Sequence, residues 1–112
     1  MLVSKVFKFD SAHKLPFYEG KCKNLHGHTW KLIASFEGNP GKNGLILDFR
    51  TIKQIVNEKI IEKIDHVYLN DIIENPTCEN ILLWIKDQLS GMKGLKKLVL
   101  YETENNFCEL EC

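Results

Sequence analysis

The amino-acid sequence predicts an α+β fold in the order ββααββ, with two helices packed on one face of a four-stranded, largely antiparallel sheet. Three observations carry this expectation. Residues 29–37 alternate cleanly, with Trp30, Leu32, Ala34 and Phe36 on one face and Thr29, Lys31, Ser35 and Glu37 on the other. Two apolar stripes at three-to-four spacing occupy the middle of the chain. Two short runs with strand character close it, on either side of Glu104-Asn105-Asn106.

Each element has a local reason. Residues 2–9, rich in Val and Phe, read as the first strand, and residues 29–37 as the second. Gly38-Asn39-Pro40-Gly41-Lys42-Asn43-Gly44 is a connection dense in turn formers. Asp48 then caps a helix whose stripe is Phe49, Ile52, Val56, Ile60 and Ile64. Asn75-Pro76-Thr77 opens a second helix, with Asn75 or Thr77 as its cap. The stripe of that helix is Cys78, Ile81, Leu82, Ile85 and Leu89, and Ser90-Gly91 ends it. Residues 95–103 and 107–112 are the last two strands. A sheet covered on one side leaves its other face open, where Val99, Tyr101 and Phe107 fall by parity. Self-association would cover them, and a homo-oligomer is expected, although antiparallel sheets commonly keep one wet face.

Composition narrows the function. The 112 residues suffice for a single domain, residues 1–112, without a second core. A content of 44% hydrophobic and 27% charged residues is that of a folded globule rather than a disordered chain. Fifteen basic residues balance fifteen acidic ones, so no broad grip on nucleic acid is expected. No apolar run approaches the roughly 18 residues of a membrane span, and no signal-peptide pattern precedes the first strand. A cytoplasmic setting with reduced thiols follows, and the four cysteines, Cys22, Cys78, Cys108 and Cys112, form no C-x-x-C pair.

The chemistry concentrates in the histidines. Three of four fall within sixteen residues, as His13 and His26-Gly27-His28, with Cys22 between them. Three neutral imidazoles are a common ligand set for Zn²⁺, leaving one tetrahedral position open. Residues two apart in an extended segment share a face about 7 Å apart at Cα, which suits convergence on one ion. Pairing of the first two strands brings His13, just past the first, to the edge where His26 and His28 precede the second. The loop of residues 10–27 folds over that edge and carries Cys22, which position alone leaves as either a reactive thiol or a small buried apolar residue. Lys14, Lys21 and Lys23 beside it are either solvated or a site for an anionic substrate group. The fourth histidine, His66, follows Asp65 directly and is either free for proton transfer or a helix-terminal residue interacting with the dipole. Adjacent residues do not share a helix face, so this pair belongs just beyond the end of the first helix.

Phe9-Asp10-Ser11-Ala12-His13, Cys22-Lys23-Asn24-Leu25-His26-Gly27-His28, Asp65-His66-Val67-Tyr68-Leu69-Asn70, Pro76-Thr77-Cys78-Glu79-Asn80 and Tyr101-Glu102-Thr103 together resemble the 6-pyruvoyltetrahydropterin synthase family. The motifs span residues 9–103. The compact C-x-x-x-H-G-H most resembles the branch that forms 6-carboxy-5,6,7,8-tetrahydropterin in 7-deazaguanine (queuosine) biosynthesis. Pyruvoyl-forming members usually carry extra residues there, and a further group has glutamate in place of Cys22.

The resemblance implies the tunnelling fold, whose members assemble around shared barrels, commonly as homo-hexamers. It implies a lyase that converts 7,8-dihydroneopterin triphosphate to 6-carboxytetrahydropterin, acetaldehyde and triphosphate. Zn²⁺ would be held by His13, His26 and His28, with Cys22 as the base. Asp65 and His66 would form a proton relay supplied by a neighbouring subunit. Glu102 would anchor the pterin through paired hydrogen bonds. Thr77 and Glu79 would assist it, although Thr77 also fits a purely capping role. Lys21 and Lys23 are candidates for the triphosphate. Two other readings stand beside this one: a pyruvoyl-forming synthase that keeps the carbon chain, and a non-catalytic zinc-binding module in which the metal staples a loop.

Overall fold

The structure is a computed structural model describing residues 1–112. β1 (Leu2–His13), β2 (His26–Glu37), β3 (Leu95–Tyr101) and β4 (Phe107–Glu111) form one sheet in chain order, every neighbouring pair antiparallel. Between β2 and β3 run α1 (Phe49–Val56), a wider π turn (Asn57–Ile61), α2 (Glu62–Ile64) and α3 (Cys78–Gln88). The expected ββααββ order is present. No helix is long and apolar enough to cross a membrane.

One face of the sheet makes the core. Phe7, Phe9, Trp30, Leu32, Ala34, Phe36, Leu98 and Leu100 are buried against Ile52, Val56, Ile60 and Ile64 of the first helical run and Ile81, Leu82 and Ile85 of α3. Phe9 and Trp30 are register partners, and their rings stack at 6.0 Å. Asp48 caps α1, its carboxylate accepting from the Arg50 backbone N–H at 2.8 Å. Thr77, rather than Asn75, caps α3 by accepting from the Asn80 N–H at 3.1 Å.

The first helix departs from its expected regularity. Phe49, counted in the apolar stripe, is 52% exposed, whereas Ile52, Val56, Ile60 and Ile64 are fully buried. Those four are spaced by four residues. An α-helix turns in 3.6, so a strict four-residue stripe drifts around the helix. The π turn, with more residues per turn, takes up the excess and holds Ile60 and Ile64 toward the sheet. Ile60→Ala is expected to destabilise the fold by about 2–5 kcal/mol in urea unfolding. A loss well under 1 kcal/mol would show that the π turn tightens to close the cavity.

Strand lengths also differ from expectation. β1 and β2 are longer, extended by the pairs Asp10↔Thr29, Ser11↔His28, Ala12↔Gly27 and His13↔His26. Apolar alternation stops at Phe9, but the backbone ladder needs no apolar side chain to continue. His13, His26 and His28 therefore lie within the strands rather than outside them. β3 is shorter and ends at Tyr101. The N–H groups of Glu102 and Thr103 both turn back to the Asn106 carbonyl, which forms the hairpin.

On the outer face, Val6 and Phe107 are exposed, but Val99 is buried between its register neighbours Ile33 and Glu109. Tyr101 is half-buried and stacks on Phe107 at 4.6 Å. Of the three residues expected to need covering, only Phe107 stands fully open. Ser35, expected outward, is buried as well, its hydroxyl 2.7 Å from that of its register partner Ser4.

Candidate metal and substrate site

The site grows from the register of the first two strands. His13 ends β1 opposite His26, the first residue of β2, and Ser11 pairs with His28. In β1 the odd residues face the helices, and in β2 the even ones do, so all three imidazoles fall on the core face at one end of the sheet. Their ring centroids lie 4.5, 5.2 and 4.8 Å apart. Trp30, next along that face, lies under them, its ring 5.1 Å from His13 and 5.3 Å from His28. Glu102 keeps the inward parity of Leu98 and Leu100. Its Oε1 is 3.1 Å from His28 Nε2 and 3.8 Å from His13 Nε2.

The second nitrogen of two of these rings is committed. Nδ1 of His13 donates to the Pro76 carbonyl at 2.8 Å, and Nδ1 of His26 donates to the Asn24 carbonyl at 2.7 Å. A carbonyl only accepts, so in each neutral ring the proton sits on Nδ1 and Nε2 carries the lone pair. Burial pushes the His13 and His28 pKa values below the ordinary imidazole range; Glu102 opposes this in both, as does the Pro76 bond in His13. Both rings are thus kept neutral, the form that binds metal.

These groups fit a metal ion. The Nε2 atoms of His13 and His28 are buried without a hydrogen-bond partner, since Glu102 approaches His28 closely without the alignment a hydrogen bond requires. Each such atom left unsatisfied costs about 1–3 kcal/mol. One ligand atom each from His13, His26, His28 and Glu102 lies within 4.8 Å of all the others. Carbonyls that orient the far side of a ligating ring are the usual support of a metal site.

Asp65 and His66 sit where the helical run has ended, as their adjacency requires. Asp65 is extended, and His66 takes a left-handed φ of 58°, uncommon for a residue with a side chain. The open edge of β1 holds them. His66 N–H donates to the Asp10 carbonyl at 2.7 Å, Asp10 N–H donates to Asp65 Oδ1 at 2.9 Å, and Ala12 N–H donates to the Val67 carbonyl at 3.1 Å. Ser11 Oγ adds a bond to the Ile64 carbonyl. His66 Nδ1 lies 2.9 Å from Asp65 Oδ1, which leaves its Nε2 outward on a ring that is 77% exposed. His66 and His28 line a common cleft of about 680 Å³ with Asp10, Ala12, Gly27 and Thr29.

The Asp10 N–H, with His66 adding to it, holds the Asp65 carboxyl below the usual carboxylate range. A carboxyl lowered on folding contributes its stability above the unfolded value and loses it as pH falls through the folded one. An NMR carboxyl titration should find Asp65 below the ordinary aspartate range. Titration within that range would show that the Asp10 bond is absent in solution.

The remaining expected residues are less closely gathered. Cys22 lies half-buried in the short turn Lys21–Lys23, its carbonyl accepting from Leu15 N–H at 3.1 Å, and its thiol is not among the four clustered ligand atoms. Lys21 and Lys23 flank it, exposed, while the Lys14 backbone exchanges two hydrogen bonds with the Asn70 side chain. Glu79 is exposed in the first turn of α3 and lines a separate small cleft with Leu82, Leu83 and Cys108. Sequence reasoning did not assign roles to Asp10, Ser11, Asn24 or Pro76. Three of these act through the backbone, and a main-chain carbonyl or N–H leaves no mark on residue type. Asp10 also accepts from Thr29 Oγ1 at 2.5 Å, and its place in the first motif was the one signal available.

Three inward imidazoles and a carboxylate at the end of an antiparallel sheet, with His66 on a cleft it shares with His28, define an α+β protein with a group that could hold a metal ion. The family model described as 6-pyruvoyl tetrahydropterin synthase matches residues 2–112. The chain belongs to that family of pterin lyases. It is 36% identical over 111 residues to the 6-carboxy-5,6,7,8-tetrahydropterin synthase of Synechocystis, covering 91% of this chain and 86% of that one. It is 40% identical over 107 residues to the dihydroneopterin monophosphate aldolase of Pyrococcus furiosus, covering 92% and 90%. The solved Caenorhabditis elegans 6-pyruvoyl tetrahydropterin synthase has the same fold, with a TM-score of 0.89 at 22% identity over 100% of this chain and 95% of that one.

Proposed function

We propose that the chain is a zinc-dependent lyase converting 7,8-dihydroneopterin triphosphate and water to 6-carboxy-5,6,7,8-tetrahydropterin, acetaldehyde and triphosphate, a step of queuosine biosynthesis in the cytoplasm. One observation carries the metal reading: the Nε2 atoms of His13 and His28 are buried with no protein partner, in a cluster where backbone carbonyls tie Nδ1 of His13 and His26. Zn²⁺ held by His13, His26 and His28 would supply Lewis acidity at the side-chain oxygens of the substrate.

The chain's own residues do the rest. Cys22, as its thiolate, takes a proton from substrate carbon and becomes the thiol, and His66 holds and returns one at Nε2, its Nδ1 fixed by Asp65. Glu102, with one carboxylate oxygen beside His28, accepts hydrogen bonds from the 2-amino and ring N–H groups of the pterin. Thr77 keeps its O–H for the substrate while its oxygen caps α3, and Glu79 offers an exposed carboxylate beside it. Lys21 and Lys23 meet the triphosphate. The working form is a homo-hexamer with sites at subunit interfaces, where the exposed His66 of one chain serves the imidazole trio of another. The open outer face, with Val6 and Phe107 exposed, supports such an assembly.

The similarity to an aldolase supports a second reading, in which the same site cleaves the side chain of dihydroneopterin monophosphate. Incubation of the zinc-loaded protein with each phosphate ester, followed by mass spectrometry, separates them. Acetaldehyde with triphosphate supports the lyase, and a phosphorylated two-carbon aldehyde supports the aldolase. A pterin product with its carbon chain intact identifies a pyruvoyl-forming synthase.

A further inference from the structure

Two cysteines outside the proposed site face one another. Cys78 is the first residue of α3, and Cys108 lies in β4 opposite Leu100. Their sulfurs are 3.1 Å apart, and Cys78 Sγ also reaches the Leu100 carbonyl at 3.3 Å. Both thiols are free. The separation exceeds an S–S bond of about 2.0 Å by only about 1 Å, so a small side-chain adjustment closes it. Neither sulfur has an assigned task in the proposed reaction.

We propose that Cys78 and Cys108 form an intramolecular disulfide on exposure to a low-molecular-weight disulfide, fastening α3 to β4. Entry is at Cys108, the less buried of the two, which lines a cleft of about 180 Å³ with Glu79, Leu82, Leu83, Glu109 and Leu110. The Cys108 thiolate attacks one sulfur of the small disulfide, forming a mixed disulfide and releasing one small thiol. Cys78 then loses its proton to solvent and attacks the Cys108 sulfur, displacing the second small thiol. Two protein thiols are oxidised, and one small disulfide is reduced to two thiols. Burial holds both protein thiols above their ordinary range, so closure is slow. In a reducing compartment the pair rests as two thiols.

The bond would brace two supports of the histidine cluster. Pro76, whose carbonyl orients His13, precedes α3 by two residues, and the β3–β4 hairpin carries Glu102. It joins residues 30 apart in sequence, enough to restrict the unfolded chain appreciably.

The test is independent of turnover. The whole protein is incubated with oxidised glutathione, its remaining thiols are alkylated, and intact mass and peptide maps are recorded. The expected product has lost two hydrogens, contains a Cys78–Cys108 cross-linked peptide, and keeps Cys22 and Cys112 alkylated. Its Tm rises by several degrees and returns to the starting value with dithiothreitol. Cys108→Ser should abolish both the cross-link and the rise. Alkylation of Cys78 and Cys108 after prolonged exposure, a stable glutathione adduct on either, or a bridge to Cys22 or Cys112 would overturn the proposal.

Discussion

Stripping the divalent ion with a chelator is expected to abolish turnover while the far-UV circular dichroism stays unchanged. The histidines stand at one end of a sheet that joins α1–α3 in an 18-residue apolar core formed without them. Two of the three rings are held in place by the carbonyls of Pro76 and Asn24. The fold thus does not depend on the ion for its assembly, in contrast to small zinc modules that unfold on chelation. Stability should still fall, because an ion that binds only the folded chain contributes about 2.7 kcal/mol at a hundredfold excess over its Kd. A lower Tm, intact secondary structure and lost turnover, all restored by Zn²⁺, is the expected set. Unfolding on chelation would instead identify a metal staple, and full activity without metal would remove the basis of the lyase reading.

Cys22→Ala is expected to lower kcat by about 10²–10⁴-fold, the usual contribution of a positioned acid or base. That corresponds to about 3–5 kcal/mol of barrier. Metal content should remain stoichiometric, since the thiol lies outside the group formed by His13, His26, His28 and Glu102. Tm should move little, because Cys22 sits half-buried in a loop turn rather than in the core. Combining metal analysis, melting and kinetics on one preparation keeps these effects separate. An unchanged kcat would assign the proton removal to another group, with His66 the first candidate. Loss of metal in the variant would show that the loop closes onto the ion and that the sulfur is a ligand.

Much of this was legible in the residues themselves. Period-two alternation in β2 and the stripes of the helices were visible because burial on one face demands them. The cap Asp48 was visible, and that of the second helix was narrowed to Asn75 or Thr77, because a side-chain oxygen at that position answers a specific need. His-Gly-His was visible because two rings on one strand face imply a common target. Strand ends were not, since β1 continues past Phe9 through Asp10, Ser11 and Ala12 on backbone bonding alone. The π turn was hidden in a spacing of four that an α-helix nearly accommodates.

The sequence alone determined the order of elements, most of the apolar face of each, and the small set of residues proposed to hold a metal and move protons. Only the tertiary structure decided that His13 stands opposite His26, that Glu102 meets both His13 and His28, and that Asp10 brackets Asp65 and His66. It also decided that Cys78 and Cys108 touch. Element identity follows from local periodicity, which a sequence displays directly. Contacts between residues 30 or 89 positions apart, as in Cys78–Cys108 and His13–Glu102, depend on register and hairpin geometry, which are set jointly by many weak backbone bonds.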